Sequence, residues 1–251
     1  MRIPSALLLC ASVGASEAAT LTDQHADLAI NYNSVRDAWQ LTIRDEDAAK
    51  EYAADRIILE GSIECRVELP DDDRFSFLGE PGEYSWILPS TQEPGMLYLG
   101  ISTENKAGAS GWTSDGVSND FFIRGVSPGA FTDGQVKLTL LSVNGPGFFS
   151  LYTVSPGKDP VVSMNSRDGI DDADFRLLTP NRHSHFNWAF SAPGTYHVTL
   201  QASGLLGSSV GTSVSEPTTF TFEIVPEPSG SLLLMSGAAL VGAVRRRRIR
   251  R

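Results

Sequence analysis

The feature that most constrains this chain is a period-two recurrence of apolar residues in short runs, each closed by turn residues. Ala26, Leu28, Ile30 and Tyr32 alternate with Asp27, Ala29 and Asn31, and Trp39, Leu41 and Ile43 repeat the pattern. Between these two runs, Asn33-Ser34 and Arg36-Asp37 suit a hairpin turn. The spacing returns in Val136, Leu138, Leu140; in Phe186, Trp188, Phe190; in Tyr196, Val198, Leu200; and in Phe220, Phe222, Ile224. Successive strand side chains point to opposite faces, so each run reads as a strand with one buried face. Phe186 and Trp188 are then core residues. Asn144-Gly145-Pro146-Gly147 and Ala192-Pro193-Gly194 supply turns. Only residues 45–55 suit a short helix, while residues 108–120 and 204–217, rich in Gly and Ser, read as loops. Many short strands without intervening helices predict an all-β fold, an antiparallel β-sandwich-like body.

The formal charge of −10 hides an asymmetry, because six of the 20 basic residues lie in the last seven positions. Between Thr20 and Val225 there are 13 basic and 28 acidic residues, a balance of −15. Nucleic-acid affinity comes largely from Lys and Arg displacing counterions, so this body is a poor match for nucleic acid. The acidity suits solubility outside the cell and, secondarily, attraction of cations. The two cysteines are Cys10, in a segment expected to be removed, and Cys65, which is left without an intramolecular partner. Cys65 reads as a small buried hydrophobe, and the hydrophobic core, with no disulfide, must carry the fold.

The two ends read as addresses. Residues 1–19 show a charged start at Arg2, a short apolar stretch and small residues at Ser16 and Ala18, the three parts of a secretory signal helix cut by signal peptidase after Ala18. Leu9 before Cys10 does not suit a lipoprotein signal. At the other end, residues 226–251 open with Pro226-Glu227-Pro228, continue through an apolar run over 231–244 and finish in Arg245-Arg246-Arg247-Arg248-Ile249-Arg250-Arg251. As a helix that run covers about 21 Å, short of a hydrocarbon core of about 30 Å unless flanking residues and snorkelling arginines extend it. The Arg cluster favours the cytoplasmic side, which leaves residues 20–225 outside.

This order of Pro-Glu-Pro, apolar helix and Arg cluster resembles the PEP-CTERM sorting signal of Gram-negative bacteria that make extracellular polysaccharide. The resemblance implies an exosortase-type enzyme that reads Pro226, Glu227 and Pro228 and processes the tail, with transient residence in the inner membrane. It also implies delivery to the envelope, cell surface or extracellular matrix, where polysaccharide and other envelope components are the candidate partners. The body resembles the choice-of-anchor M domain of bacterial surface proteins. The segments that carry this are His25-Ala26-Asp27 with the Trp39 strand, Glu93-Pro94-Gly95-Met96-Leu97-Tyr98-Leu99-Gly100, Gly145-Pro146-Gly147-Phe148-Phe149-Ser150-Leu151-Tyr152, and His183-Ser184-His185-Phe186-Asn187-Trp188-Ala189-Phe190. That family brings location and architecture but no catalytic activity. Its relatives often carry His where Phe148 stands, so no further ligand is implied there, and some are associated with metal-uptake transporters.

Three functions follow as expectations: a non-enzymatic structural or binding protein of the surface, a divalent-metal-binding envelope protein, and, least supported, an extracellular hydrolase. No catalytic residues are expected. Gly207-Ser208-Ser209-Val210-Gly211 fits the nucleophile-elbow pattern, but that motif works on a strand-to-helix turn, and here it sits between strands. Asp168, Asp171, Asp172 and Asp174 lack the spacing of a calcium loop and read as a solvated turn. His197 falls on a polar strand face. The sharper candidate is a divalent-metal site, for zinc, made by His25, His183 and His185 with Asp27 as fourth ligand. Residues i and i+2 of a strand share a face, so each pair points away from its apolar neighbours, and imidazole and carboxylate are what tetrahedral zinc accepts.

Overall fold

In the computed structural model residues 18–207 and 210–226 are described, and no helix among them is long and apolar enough to cross a membrane. Their strands are β1 (Ala19–Leu21), β2 (His25–Asn33), β3 (Ala38–Asp45), β4 (Lys50–Ala53), β5 (Ile57–Gly61), β6 (Arg66–Glu68), β7 (Tyr84–Leu88), β8 (Tyr98–Ser102) and β9 (Thr113–Asp115). The second half adds β10 (Val136–Asn144), β11 (Phe149–Thr153), β12 (Val161–Asn165), β13 (Phe175–Leu178), β14 (His183–His185), β15 (Asn187–Phe190), β16 (Gly194–Gly207), β17 (Gly211–Val214) and β18 (Thr218–Ile224). Helix is limited to three short 3-10 turns among the described residues. The chain is therefore all-β, as its alternation predicts.

The strands form three sheets. One runs β1-β5-β18-β16-β10-β13 with β17 also on β16, a second runs β12-β11-β15-β7-β6, and the third runs β14-β8-β2-β3-β4-β9. The expected all-antiparallel arrangement is corrected here. β1 on β5, β5 on β18, β2 on β8 and β4 on β9 are parallel pairs. Period-two alternation reports which face is buried and carries no information on a neighbour's direction.

One continuous core joins the sheets. Leu28 and Ile43 of the third sheet, Trp188 and Phe149 of the second, and Tyr196 and Phe222 of the first all belong to it and are almost wholly buried. Trp188 Nε1 donates to the Leu99 carbonyl at 3.0 Å, which ties β15 to β8. Cys65 is buried and free, and burial pushes its thiol up to about 11. That is an inert group rather than a nucleophile.

Three local expectations fail. Residues 45–55 form no α-helix: a turn with Ala49 at positive φ returns the chain into β4, and only Ala54–Arg56 make a 3-10 turn. Pairing of β4 against β3 buries Tyr52 and Glu51, and this tertiary gain outweighs local helix preference. The Gly/Ser segment 204–217 is mostly strand, since β16 continues to Gly207 and turns into β17. Finally, the run from His183 to Phe190 is two strands. β14 belongs to the third sheet and β15 to the second, with Phe186 at the break and 1% exposed.

β2 is buried on both faces, because residues 104–126 lie over its outer side. There Arg44 and Glu51, both wholly buried, meet in an ion pair at 3.4 Å. Arg44 also donates to the Glu104 carbonyl and to Asn31 Oδ1, each at 2.8 Å, while Glu51 accepts from the Ile123 and Asn31 nitrogens at 2.6 and 2.9 Å. Every polar group named is paired, which is what makes such burial tolerable.

Candidate metal centre

In the third sheet β8 lies between β14 and β2. His185 is level with Gly100, Gly100 with Asp27, and Tyr98 with His25. Residues level with one another across a ladder project to the same face, so His25, Asp27, Tyr98, His183 and His185 all stand on the outer side. The apolar partners Ala26, Leu28 and Ile101 face the core.

Gly100 is why these groups can meet. A Cβ built there would collide with Asp27 Oδ1 and lie 3.0 and 3.1 Å from Cε1 and Nδ1 of His185. The bare backbone lets side chains from the two flanking strands lean over β8 and converge. One ligand atom each from His25, Asp27 and His185 lies within 4.8 Å of the other two. Zinc held at about 2.0–2.1 Å would draw these three atoms in around one ion.

The three have another property in common. His25 Nε2, Asp27 Oδ1 and His185 Nδ1 are buried and lack any hydrogen-bond partner among the described residues. Leaving a buried polar atom unpaired costs about 1–3 kcal/mol, and more for a charged one, so three on one spot call for a ligand they share. The surroundings prepare them. The ring of His185 stacks on Tyr98 at 3.6 Å and 4°, and its Nδ1 is the unpartnered nitrogen. Burial, with His25 and His183 nearby, lowers its pKa to about 4, so it stays a neutral donor. Asp47 accepts from the His25 backbone nitrogen at 2.9 Å and fixes the start of β2. Burial and the adjacent Glu46 carboxylate raise Asp27 to about 6 against the pull of His183, His25 and Lys106. A divalent cation would relieve the penalty on Asp27.

His183 is the expected ligand that the structure does not bring into the set. Its ring centroid is 6.5 Å from that of His25 and 5.7 Å from that of His185, and its Nδ1 lies 3.0 Å from Glu104 Oε1. That carboxylate draws it aside. Gly100, Tyr98, Glu46 and Glu104 were not legible as site residues. Tyr98 and Gly100 do fall in phase on one strand, but only the neighbours of that strand reveal what the missing side chain permits.

The remaining candidates take simpler places. Gly207 pairs with Gly211 at the mouth of the β16–β17 hairpin, with no helix following, and Ser208 and Ser209 lie outside the described residues. Asp174 is buried, and its carboxylate accepts from the Asn165 and Asp171 nitrogens at 2.6 and 2.9 Å. The acidic stretch is thus a turn closed on its own backbone. His197 is exposed beside Thr221. Phe148, 45% exposed, precedes β11 in a different sheet from the histidines. Of the sorting motif, Pro226 ends the described residues, while Glu227 and Pro228 lie outside them, as does nearly all of the expected signal helix. No protein family, curated protein or solved structure matches this chain.

Proposed function

We propose that this chain is an exported, surface-sorted, non-enzymatic protein whose β-sandwich-like body binds one divalent cation through His25, Asp27 and His185. The observation that carries the metal reading is the meeting of three unpartnered buried ligand atoms over Gly100. Two imidazoles and one carboxylate suit zinc, with a fourth position left for water or another donor. Export rests on the two ends: a signal helix removed by signal peptidase, and Pro226-Glu227-Pro228 with a short apolar helix and Arg cluster handled by an exosortase-type enzyme. In this reading the protein works in the envelope or extracellular matrix among polysaccharide and other envelope components. Its acidic body gathers cations there.

The test is elemental analysis of the protein isolated from its native envelope, with mass spectrometry of the same sample. One equivalent of a divalent metal is expected, lost in His185→Ala, together with a mass lacking the Arg-rich tail. Metal-free protein that takes up no zinc on titration refutes the site. An intact Arg251 in surface material refutes tail processing.

A further inference from the structure

Beside the metal centre, on the other side of β14, a second cleft opens between the edge strands of two sheets. β13 closes the first sheet and β14 the third, and residues 179–182 connect them. Its volume is about 200 Å³, and Arg176, Thr179, Arg182, His183 and Ser184 line it above Phe186. No carboxylate lines it. In a body of net charge −15 many cations find acidic partners: Arg36 with Asp120, Lys50 with Asp115, Lys106 with Glu46, Arg167 with Glu80. Among the described residues neither Arg176 nor Arg182 forms an ion pair. His183 is the exception at the rim, held by Glu104.

Arg176 also points the wrong way for a solvated arginine. It stands level with Leu138 across the ladder, and Leu138 is wholly buried, so the Arg176 side chain leaves β13 toward the interior. Its guanidinium sits over the Phe186 ring, 5.2 Å from the centroid. Its Nε is buried and donates to nothing among the described residues. Arg44 makes the contrast, since its buried guanidinium is fully engaged by Glu51, Asn31 and the Glu104 carbonyl. A buried N–H in a fork that presents five donors is costly when idle and suits an anionic oxygen.

We infer that the cleft between β13 and β14 is a binding site for a small oxyanion group, held by Arg176 from within and Arg182 from the rim. Thr179 and Ser184 add neutral polar groups along its wall. The group is either a free inorganic oxyanion or the carboxylate of a larger acidic molecule, and the inference stands apart from the metal reading.

The test uses the full chain, stripped of metal with chelator, titrated calorimetrically with inorganic phosphate, sulfate and glucuronate at constant ionic strength set by chloride. Saturable binding of at least one probe is expected. Arg176→Gln and Arg182→Gln should each weaken it about tenfold or more, while Lys158→Gln leaves it unchanged. Arg182 is exposed, so its variant reports on binding even if Arg176→Gln perturbs folding. Preference for phosphate or sulfate identifies an inorganic oxyanion site, and preference for glucuronate a carboxylate site. Absence of saturable binding, or parental affinity in Arg182→Gln, overturns the inference.

Discussion

Adding one methyl group at Gly100 is the most direct challenge to the metal centre. Gly100→Ala introduces no backbone strain of the left-handed kind, because Gly100 is not among the positive-φ glycines. Its effect is space alone. The new Cβ overlaps Asp27 Oδ1, so that carboxylate has to withdraw by more than about 1 Å to reach ordinary contact, and His185 by about 0.4 Å from its 3.0 Å approach. Asp27 is 1% exposed and flanked by β3 and β8, so it has little room to move except out of the ligand set. A binding constellation tolerates misplacement of about 0.5 Å, and displaced or unsupported ligands lose about 10- to 100-fold in affinity. The variant should therefore bind zinc at least about tenfold more weakly in competition with a chromophoric chelator. Overpacking should cost it about 1–3 kcal/mol in chemical denaturation of the metal-free protein. A folded Gly100→Ala protein with parental zinc affinity would refute the reasoning, because convergence over a bare backbone position would then be irrelevant to binding.

Two further outcomes are expected. Trp188→Ala removes a wholly buried ring and its bond to Leu99, and should cost about 3–5 kcal/mol in denaturant unfolding, with a loss below about 1 kcal/mol counting against its central place. In the metal-free protein, Asp27 and His185 pull stability in opposite directions with pH. Asp27, raised to about 6, contributes stability fully present below its unfolded value near 3.8 and lost as pH rises through about 6. His185, lowered to about 4, costs stability as pH falls from its unfolded value near 6.5 through about 4. The two slopes offset each other between about pH 4 and 6, so Asp27→Asn should expose the His185 term and melt more steeply toward acid than the parent. Parallel melting profiles would show that these groups do not titrate as their burial demands. Zinc occupancy of the parent should fall as pH drops through about 6, where Asp27 takes up a proton.

The chain's alternation settled a good deal by itself. The all-β class, the inward placement of Phe186, Trp188, Tyr196 and Phe222, and the off-core facing of His25, Asp27, His183 and His185 all follow from the two-residue period of a strand, which is a local property. Tertiary structure decided what local period does not encode: which strands are neighbours and in which direction they run. Parallel pairing of β2 with β8 and antiparallel pairing of β8 with β14 set Asp27 and His185 on either side of Gly100. The same long-range packing set strands within residues 45–55 and 204–217 and split the histidine-bearing run between two sheets. His183 shows the limit most clearly, because its spacing from His185 promised a shared ligand, and a glutamate distant in sequence, Glu104, claims it instead. Arg176 shows it again. Its neighbours in sequence say nothing of an inward-facing guanidinium, which follows from the register of β13 on β10 that sets Arg176 level with buried Leu138.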